Sequence, residues 1–220
     1  MAITLYYHPL ASFCHKVLIA LYELNIVFEK RLIDSGDEGD RAELKAIWPI
    51  CKFPVIRDHV RGRDVPESSA IIEYLDHFYP GATPLLPQEW EAAHDVRLWD
   101  RFFDNYVQGP MQAIVLDRIT GSKREMARER AALATAYRMI DARMAMRQWI
   151  GGNDFSMADC AAAPALFHAA TLEPLPGGTR HLEAYLERLI ARPSGRRVLD
   201  EANPYFSMYP FAQAVPARFR

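Results

Sequence analysis

Every segment with the pattern of a β-strand lies ahead of a proline-rich stretch at residues 79–87. Short β-branched and aromatic runs alternate there with segments whose apolar residues recur at helical spacing. This alternation predicts a sheet covered by helices, in the order β-α-β-α-β-β-α. An acidic loop is expected at Asp34–Asp40, and the predicted elements are Ile3–Tyr7, Ser12–Leu24, Val27–Ile33, Arg41–Trp48, Phe53–Arg57, Arg63–Val65 and Ser69–Phe78.

The chain changes character after this stretch, which holds three prolines and a glycine between Tyr79 and Pro87 and breaks any periodic element. No strand pattern follows Glu89, and Gly109-Pro110 predicts a kink in the first helix beyond it. We expect helices at Glu89–Ile119, Lys123–Trp149, Met157–Thr171 and Arg180–Ala191. The sequence therefore predicts an α/β domain at 1–79, a linker at 80–88 and an all-helical domain at 89–220.

Composition excludes several classes of protein. The 220 residues are 50% hydrophobic and 25% charged, as in globular proteins, and the net charge of −2 argues against a nucleic-acid partner. No apolar run approaches the roughly 20 residues that span a bilayer, and the N-terminus lacks the basic region of a signal peptide. Cys14, Cys51 and Cys160 cannot all pair and lack zinc-site spacing. We expect a cytoplasmic protein without a metal or membrane association, since free thiols fit a reducing compartment.

The junction Phe53-Pro54 is a candidate for binding a peptide-like ligand. A cis bond before Pro54 would turn the backbone N–H and C=O groups of Phe53 outward, where they could pair with such a ligand. An X-Pro bond is usually trans, and proline at the start of an edge strand is common. The residues alone therefore favour an ordinary edge-strand proline.

Glu67 and Ser68 follow the fourth predicted strand, where a helix begins. The free N–H groups and the dipole at a helix N-terminus favour a bound carboxylate or phosphate. Ser68 could bind that anion, and Glu67 could accept from a ligand ammonium group. Alternatively, Ser68 caps its own helix while Glu67 complements the dipole, and the residues alone favour this capping role.

Three side chains near the first predicted helix could take part in thiol chemistry. Ser12 stands at the predicted N-cap, in a field of free N–H groups that stabilises a thiolate. Cys14 could itself be reactive, although a small buried cysteine is the more common case. Tyr7, at the end of the first strand, could donate a phenolic hydrogen bond or belong to the core.

In their order along the chain, these motifs resemble those of cytosolic glutathione S-transferases over nearly the full length. The motifs are Tyr6–Pro9 leading through Ser12 into Phe13–Val17, then Lys52–Val55, Glu67–Ile71, the proline-rich linker and a capping-box variant at Ser156–Asp159. The resemblance implies a thioredoxin-like N-terminal domain, an all-α C-terminal domain, a homodimer and a role in detoxification. It also implies that the bond before Pro54 is cis.

The resemblance further implies a role for each motif residue. Glu67 and Ser68 would hold the γ-glutamyl ammonium and carboxylate groups of glutathione, the co-substrate. The backbone of Phe53 would pair with its cysteinyl unit, and Lys52 would lie near its glycine carboxylate. A hydroxyl near a helix N-terminus would lower the thiol pKa, and the thiolate would attack a small hydrophobic electrophile. The electrophile pocket would involve Leu10, Tyr106 and Met111, with a covering tail of Phe206, Tyr209 and Phe211.

The sulfur-activating residue depends on which members of the family the chain resembles. The chain is similar to bacterial-type and serine-type members of the theta, beta, zeta and delta classes. When the chain is aligned without gaps with serine-type members, the sulfur-activating serine falls at the position of Ala11. In an alignment with bacterial cysteine-type members the key residue falls at Ser12, and the catalytic tyrosine of tyrosine-type members aligns with Tyr7. We rank Ser12 first, Tyr7 second and Cys14 third.

Other functions stay open at this stage. Cys14 could form a mixed disulfide in a thiol oxidoreductase. The chain could also be a glutathione-dependent isomerase or peroxidase. Finally, it could be a non-catalytic binding module, because a fold does not determine a function.

Overall fold

The strand-forming segments make one four-stranded mixed sheet. Its strands are β1 (Ile3–Tyr7), β2 (Phe28–Leu32), β3 (Val55–Asp58) and β4 (Arg63–Pro66), in the spatial order β2-β1-β3-β4. β1 is parallel to β2, whereas β3 is antiparallel to both β1 and β4. The parallel pair requires a long crossover, and helix α1 (Ser12–Glu23) supplies it.

Helices cover both faces of this sheet. Tyr6 and Val55 point to the face where Leu44 of α2 (Glu38–Ile47) completes a buried apolar cluster. Because side chains alternate along a strand, Leu5 and Ile56 point to the opposite face. That face is left to α1 and α3 (Ser68–Phe78), which pack against each other. The predicted sheet with helices is confirmed.

The computed structural model describes residues 1–219, which divide into two units: Met1–Leu86, and a second unit from Pro87 onward. The division falls inside the segment predicted as a linker. Asp76 fixes the end of the first unit, because its carboxylate accepts the backbone N–H groups of Leu85 and Leu86 at 2.8 and 3.1 Å.

Two predicted starts in the first unit are wrong by two residues or more, and the other boundaries that differ are wrong by one residue. α2 begins at Glu38 rather than Arg41, because the Asp37 side chain accepts the N–H of Asp40 at 2.9 Å and caps the helix three residues earlier. Two acidic residues of the predicted loop, Glu38 and Asp40, thus lie in the first turn of the helix. β3 begins at Val55 rather than Phe53, and Phe53 lies outside the sheet ladder.

The described part of the second unit contains helices and one isolated β-bridge, between Trp149 and Gly152. The second long helical pattern ends at Met144 and does not reach Trp149, which forms this bridge instead. The sequence pattern also missed the last α-helix. The α-helices are α4 (Trp90–Phe102), α5 (Gly109–Thr120), α6 (Ala127–Met144), α7 (Met157–Leu172), α8 (Arg180–Ala191) and α9 (Pro193–Ala202), and short 3-10 turns follow. No helix within residues 1–219 is long and apolar enough to cross a membrane.

A π-helical segment, Phe103–Gln108, joins α4 to α5. The kink predicted at Gly109-Pro110 is therefore replaced by a widened helical turn in the residues that precede the proline. Pro110 has no N–H, and in an α-helix its ring would meet the carbonyl group four residues earlier. The N–H of Gly109 instead donates to the carbonyl of Asp104, five residues back, which is the π pattern.

The predicted capping box at the start of α7 is confirmed, with Ser156 as N-cap and Asp159 at the third helical position. Both oxygens of the buried Asp159 carboxylate are occupied. Oδ2 accepts from the backbone N–H and the hydroxyl of Ser156, both at 2.9 Å. Oδ1 accepts from Ile150 N–H at 3.0 Å and from the Tyr185 hydroxyl at 2.5 Å.

Candidate functional site

Three strand ends meet in one row of the sheet. Tyr6 of β1 is paired with Val55 of β3, and Val55 is paired in turn with Pro66 of β4. Neighbouring strands lie about 4.8 Å apart, so this row is about 10 Å wide. The motif residues found in the sequence lie within three positions of it, at Tyr7, at Lys52-Phe53 and at Glu67-Ser68.

The Phe53-Pro54 bond is cis. The trans form favoured by the residues alone is therefore wrong, and the expectation from the resemblance is confirmed. The imidazole of His8 stacks on the Phe53 ring, with centroids 5.9 Å apart and an angle of 18° between the planes. This contact joins the end of β1 to the segment before β3. Lys52 beside it is exposed.

The start of α3 departs from the expected capping arrangement. Glu67, not Ser68, occupies the N-cap position, and no side chain caps the helix. Glu67 has φ +68°, a left-handed conformation that is unfavourable for a residue with a Cβ. Ser68 becomes the first helical residue and is buried, whereas Glu67 is exposed. With no acidic residue in the first turn, this N-terminus can accept an anion.

The same shift by one position occurs at α1. Ala11 is the N-cap, so the prediction that Ser12 caps the helix is wrong, and Ser12 is instead its first residue. The first turn holds neither a side-chain cap nor an acidic residue. Ser12 is only 6% exposed, which puts its hydroxyl in a desolvated region at the positive end of the helix.

A buried lysine links these two helix starts. Lys16 of α1 is 1% exposed, and its Nζ donates to Ser69 Oγ at 2.8 Å. Ser69 directly follows Ser68 in the first turn of α3, so this hydrogen bond joins the second turn of α1 to the first turn of α3. Lys16 was not among the candidates from the sequence. The signal that could have found it was a cation directly before the apolar residues Val17 to Leu21 of the first predicted helix.

Cys14 is fully buried, and its Sγ accepts the backbone N–H of His8 at 3.5 Å. Burial raises the pKa of the Cys14 thiol to about 12, and the hydrogen bond from His8 offsets only part of that effect. The thiolate is the reactive form of cysteine, and at neutral pH Cys14 is a thiol. This environment disfavours the mixed-disulfide chemistry considered for Cys14. Neither Cys51 nor Cys160 forms a disulfide.

Of the two adjacent tyrosines at the end of β1, Tyr6 is buried in the α2-facing cluster. Burial raises the pKa of its hydroxyl, with Arg57 opposing the effect. Tyr7 is half-buried and points to the other face. Tyr7 is therefore the tyrosine of this pair that lies outside the α2-facing cluster.

The residues suggested for an electrophile pocket have different environments. Met111 of α5 is buried, and Tyr106 in the π-helical segment is 60% exposed. Phe206 packs on Phe167 at 6.0 Å between centroids, and the Tyr209 hydroxyl lies 2.9 Å from Thr171 Oγ1. These two tail aromatics are thus part of the core of the second unit, as simple packing predicts. No group of three or more potential metal-ligating side chains occurs within residues 1–219.

Comparisons with known proteins agree with this geometry. Residues 5–83 match the family model "Glutathione S-transferase, N-terminal domain", and residues 102–193 match "Glutathione S-transferase, C-terminal domain".

Individual relatives extend the match over most of the chain. A glutathione S-transferase of Silene vulgaris is 26% identical over 215 residues, which cover 90% of this chain and 97% of that protein. A probable maleylacetoacetate isomerase of Drosophila melanogaster is 26% identical over 181 residues, 78% of each chain. Among solved structures, a glutathione S-transferase from Rhodospirillum rubrum has a TM-score of 0.76 and 25% identity, covering 90% of this chain and 91% of that one.

Proposed function

The chain belongs to the glutathione S-transferase family, and on that premise we propose that it activates the thiol of glutathione for attack on a small hydrophobic electrophile. The observation that carries the proposal is the shared row of strand ends, Tyr6-Val55-Pro66, flanked by two helix N-termini without side-chain caps. This row supports a site for an extended, charged peptide. We assign glutathione binding to residues 1–79, and the electrophile pocket to the helical domain at 89–220 beyond the linker at 80–88.

The binding roles follow from the charge and conformation of each group. The N-terminus of α3 suits the γ-glutamyl carboxylate, with Ser68 as a further donor, and the exposed Glu67 suits the γ-glutamyl ammonium group. The Phe53 backbone lies outside the sheet ladder and is assigned to the cysteinyl unit. The exposed Lys52 is assigned to the glycine carboxylate.

Ser12 is the assigned sulfur-activating residue, and Tyr7 is the second candidate. A hydroxyl that donates to sulfur near the start of α1 stabilises the thiolate, so the thiol releases its proton to solvent near neutral pH. The sulfur lone pair then forms a carbon–sulfur bond, and the leaving group departs with the electrons of the bond that breaks. Holding both reactants together supplies much of the rate enhancement.

A homodimer is part of the proposal. Trp90 and Leu98 of α4 are 70% and 52% exposed and, with His94 between them, recur at four-residue spacing on one helix face. His94 stacks on Trp90 with centroids 5.0 Å apart. Such an exposed apolar stripe supports contact with a second copy. Replacing Leu98 by Glu is expected to yield monomers in light scattering, and a monomeric wild-type protein would contradict the proposal.

The first experiment is calorimetric titration of the protein with glutathione, followed by a thiolate difference spectrum of the complex. We expect binding and a thiolate absorption band at neutral pH. No binding at millimolar glutathione would overturn the proposed function. Binding without a thiolate band would contradict thiol activation and leave a non-catalytic binding module.

A second candidate, a glutathione-dependent isomerase, is favoured by the match to the Drosophila protein named as a probable maleylacetoacetate isomerase. In an isomerase the thiolate adds to a carbon–carbon double bond and leaves again after rotation, so glutathione is not consumed. Measuring free thiol during turnover separates the two reactions. Loss of one thiol per product indicates conjugation, whereas constant thiol indicates isomerisation.

A further inference from the structure

His8 stands directly after Tyr7, between the groups assigned to the glutathione sulfur. Its ring stacks on Phe53, whose backbone is assigned to the cysteinyl unit of glutathione. Along the chain, His8 is followed after a short segment by Ser12, the first residue of α1. The side chain of His8 is half-buried.

The hydrogen bonds of His8 determine which ring nitrogen carries the proton. Nδ1 accepts the backbone N–H of Leu10 at 3.2 Å, so Nδ1 carries no hydrogen in this arrangement. A neutral imidazole then has its proton on Nε2. Within residues 1–219, Nε2 of His8 has no hydrogen-bond partner. It is also not among the fully buried polar atoms that lack a partner, so its N–H is available to a ligand.

We propose that His8 is a further catalytic residue, which donates its Nε2–H to the sulfur of bound glutathione alongside the hydroxyl of Ser12. The inference rests on the proposed function and adds a specific donor to it. A donor at this position stabilises the thiolate more than the thiol, because a hydrogen bond to a charged acceptor is stronger than one to a neutral acceptor.

The electrostatic surroundings of His8 agree with a neutral donor. Burial lowers the pKa of His8, and the carboxylate of Asp34 opposes this effect. The sulfur nearest to His8 in sequence, Cys14 Sγ, accepts from its backbone N–H and does not compete for the ring. The ring therefore stays uncharged at neutral pH and can donate without taking the thiol proton.

Two substitutions separate the Nε2 donor from the other contacts of the ring. His8→Asn keeps an acceptor for Leu10 N–H near the position of Nδ1, but has neither the ring nor Nε2–H. His8→Phe keeps the stacking on Phe53 and loses both nitrogens. We expect both variants to bind glutathione with an affinity close to wild type, and the pKa of the bound thiol to rise by about one unit in each.

The measurement is thiolate absorbance against pH in the glutathione complex, with circular dichroism to verify folding. His59→Asn is the control, because His59 contacts Thr4 towards the opposite end of β1 and should leave the thiol pKa unchanged. An unchanged thiol pKa in either His8 variant overturns the inference, since loop or stacking contacts alone would affect only one of them. Absence of glutathione binding to the wild-type protein overturns the proposed function as well.

Discussion

The N-terminus of α7 and the N-termini of α1 and α3 are built in opposite ways from the same residue type. Each begins near a serine that the sequence pattern identifies as a cap. Ser156 does cap α7, and Asp159 completes the box. Ser12 and Ser68 instead occupy the first helical position, and no side chain caps their helices. The start of α7 is thus capped by its own side chains, whereas no side chain caps the first turn of α1 or of α3.

This contrast separates stability from binding. A filled cap stabilises its own helix, and a carboxylate that accepts four hydrogen bonds contributes to the core. An uncapped helix start forgoes that stabilisation and keeps its N–H groups and positive field for an anion. Substitutions at α7 should therefore change the free energy of unfolding, and substitutions at α1 and α3 should change chemistry or affinity.

The largest effect is expected for Asp159→Ala. Ile150 N–H, Tyr185 hydroxyl and the start of α7 would lose their acceptor inside the core, which costs about 3 to 4 kcal/mol in the free energy of unfolding. Urea unfolding measures the change. Asp154→Ala, at an exposed position nearby, is the control and should stay within about 0.5 kcal/mol of wild type. Equal stability of the two variants would contradict a structural role for this cap.

Ser12→Ala should lower turnover by about 100-fold and leave the Kd for glutathione within about twofold of wild type. In the proposed role its hydroxyl would stabilise charge on sulfur and contribute little to holding the peptide. Steady-state kinetics and calorimetry together test this, with Ser35→Ala in an exposed loop as the control. Loss of binding with normal turnover per bound enzyme would assign Ser12 to binding instead.

Glu67→Gln should weaken glutathione binding by about tenfold, because the uncharged amide attracts the γ-glutamyl ammonium group less strongly. The difference should shrink in high salt, since both groups are exposed to solvent. Glu29→Gln, on the edge strand β2, has the same change in charge and should bind normally. An affinity loss shared by both variants would point to net charge and not to this site.

Ser156→Ala should destabilise the protein by about 1 kcal/mol, the usual effect of removing an N-cap hydroxyl. Asp159 would keep its other partners, so the effect is smaller than for Asp159→Ala. Activity per folded molecule should not change. A drop in turnover at full folding would show that α7 is not purely structural.

The smallest effect is expected at Cys14, which lies in the first turn of α1 but is buried. With its pKa raised to about 12, the thiol should remain unmodified by iodoacetamide at neutral pH, while the partly exposed Cys51 reacts. Mass spectrometry of the labelled peptides decides the order of reaction. Faster labelling of Cys14 than of Cys51 would restore the oxidoreductase hypothesis.

Local patterns predict most elements of this fold. β1 and α8 have the predicted bounds, Ile3–Tyr7 and Arg180–Ala191, because period and composition agree along their whole length. The boundaries that failed depend on single residues. Glu67 adopts a positive φ, which moves the start of α3 by one residue, and neither propensity nor period encodes that conformation.

The candidate site was only partly accessible to sequence reasoning. Motif order supplied Ser12, Phe53, Glu67 and Ser68 through resemblance, and the register of β1, β3 and β4 explains why their segments converge. The stacking of His8 on Phe53 and the Lys16–Ser69 hydrogen bond are contacts between residues far apart in the chain. Such contacts depend on tertiary packing, and no local pattern specifies them.

The π-helical segment Phe103–Gln108 accommodates one residue more than a regular α-helix holds in the same turn. Because the N–H of Gly109 reaches back five residues and not four, the extra residue is absorbed locally and α5 keeps the orientation that follows from α4. Deleting a single residue between 103 and 108 is therefore expected to keep Met111 and Ile114 facing the core, but to bring the ring of Pro110 against the carbonyl group four residues earlier. A second inserted residue, in contrast, would rotate α5 by about 100° and turn these two side chains out of the core.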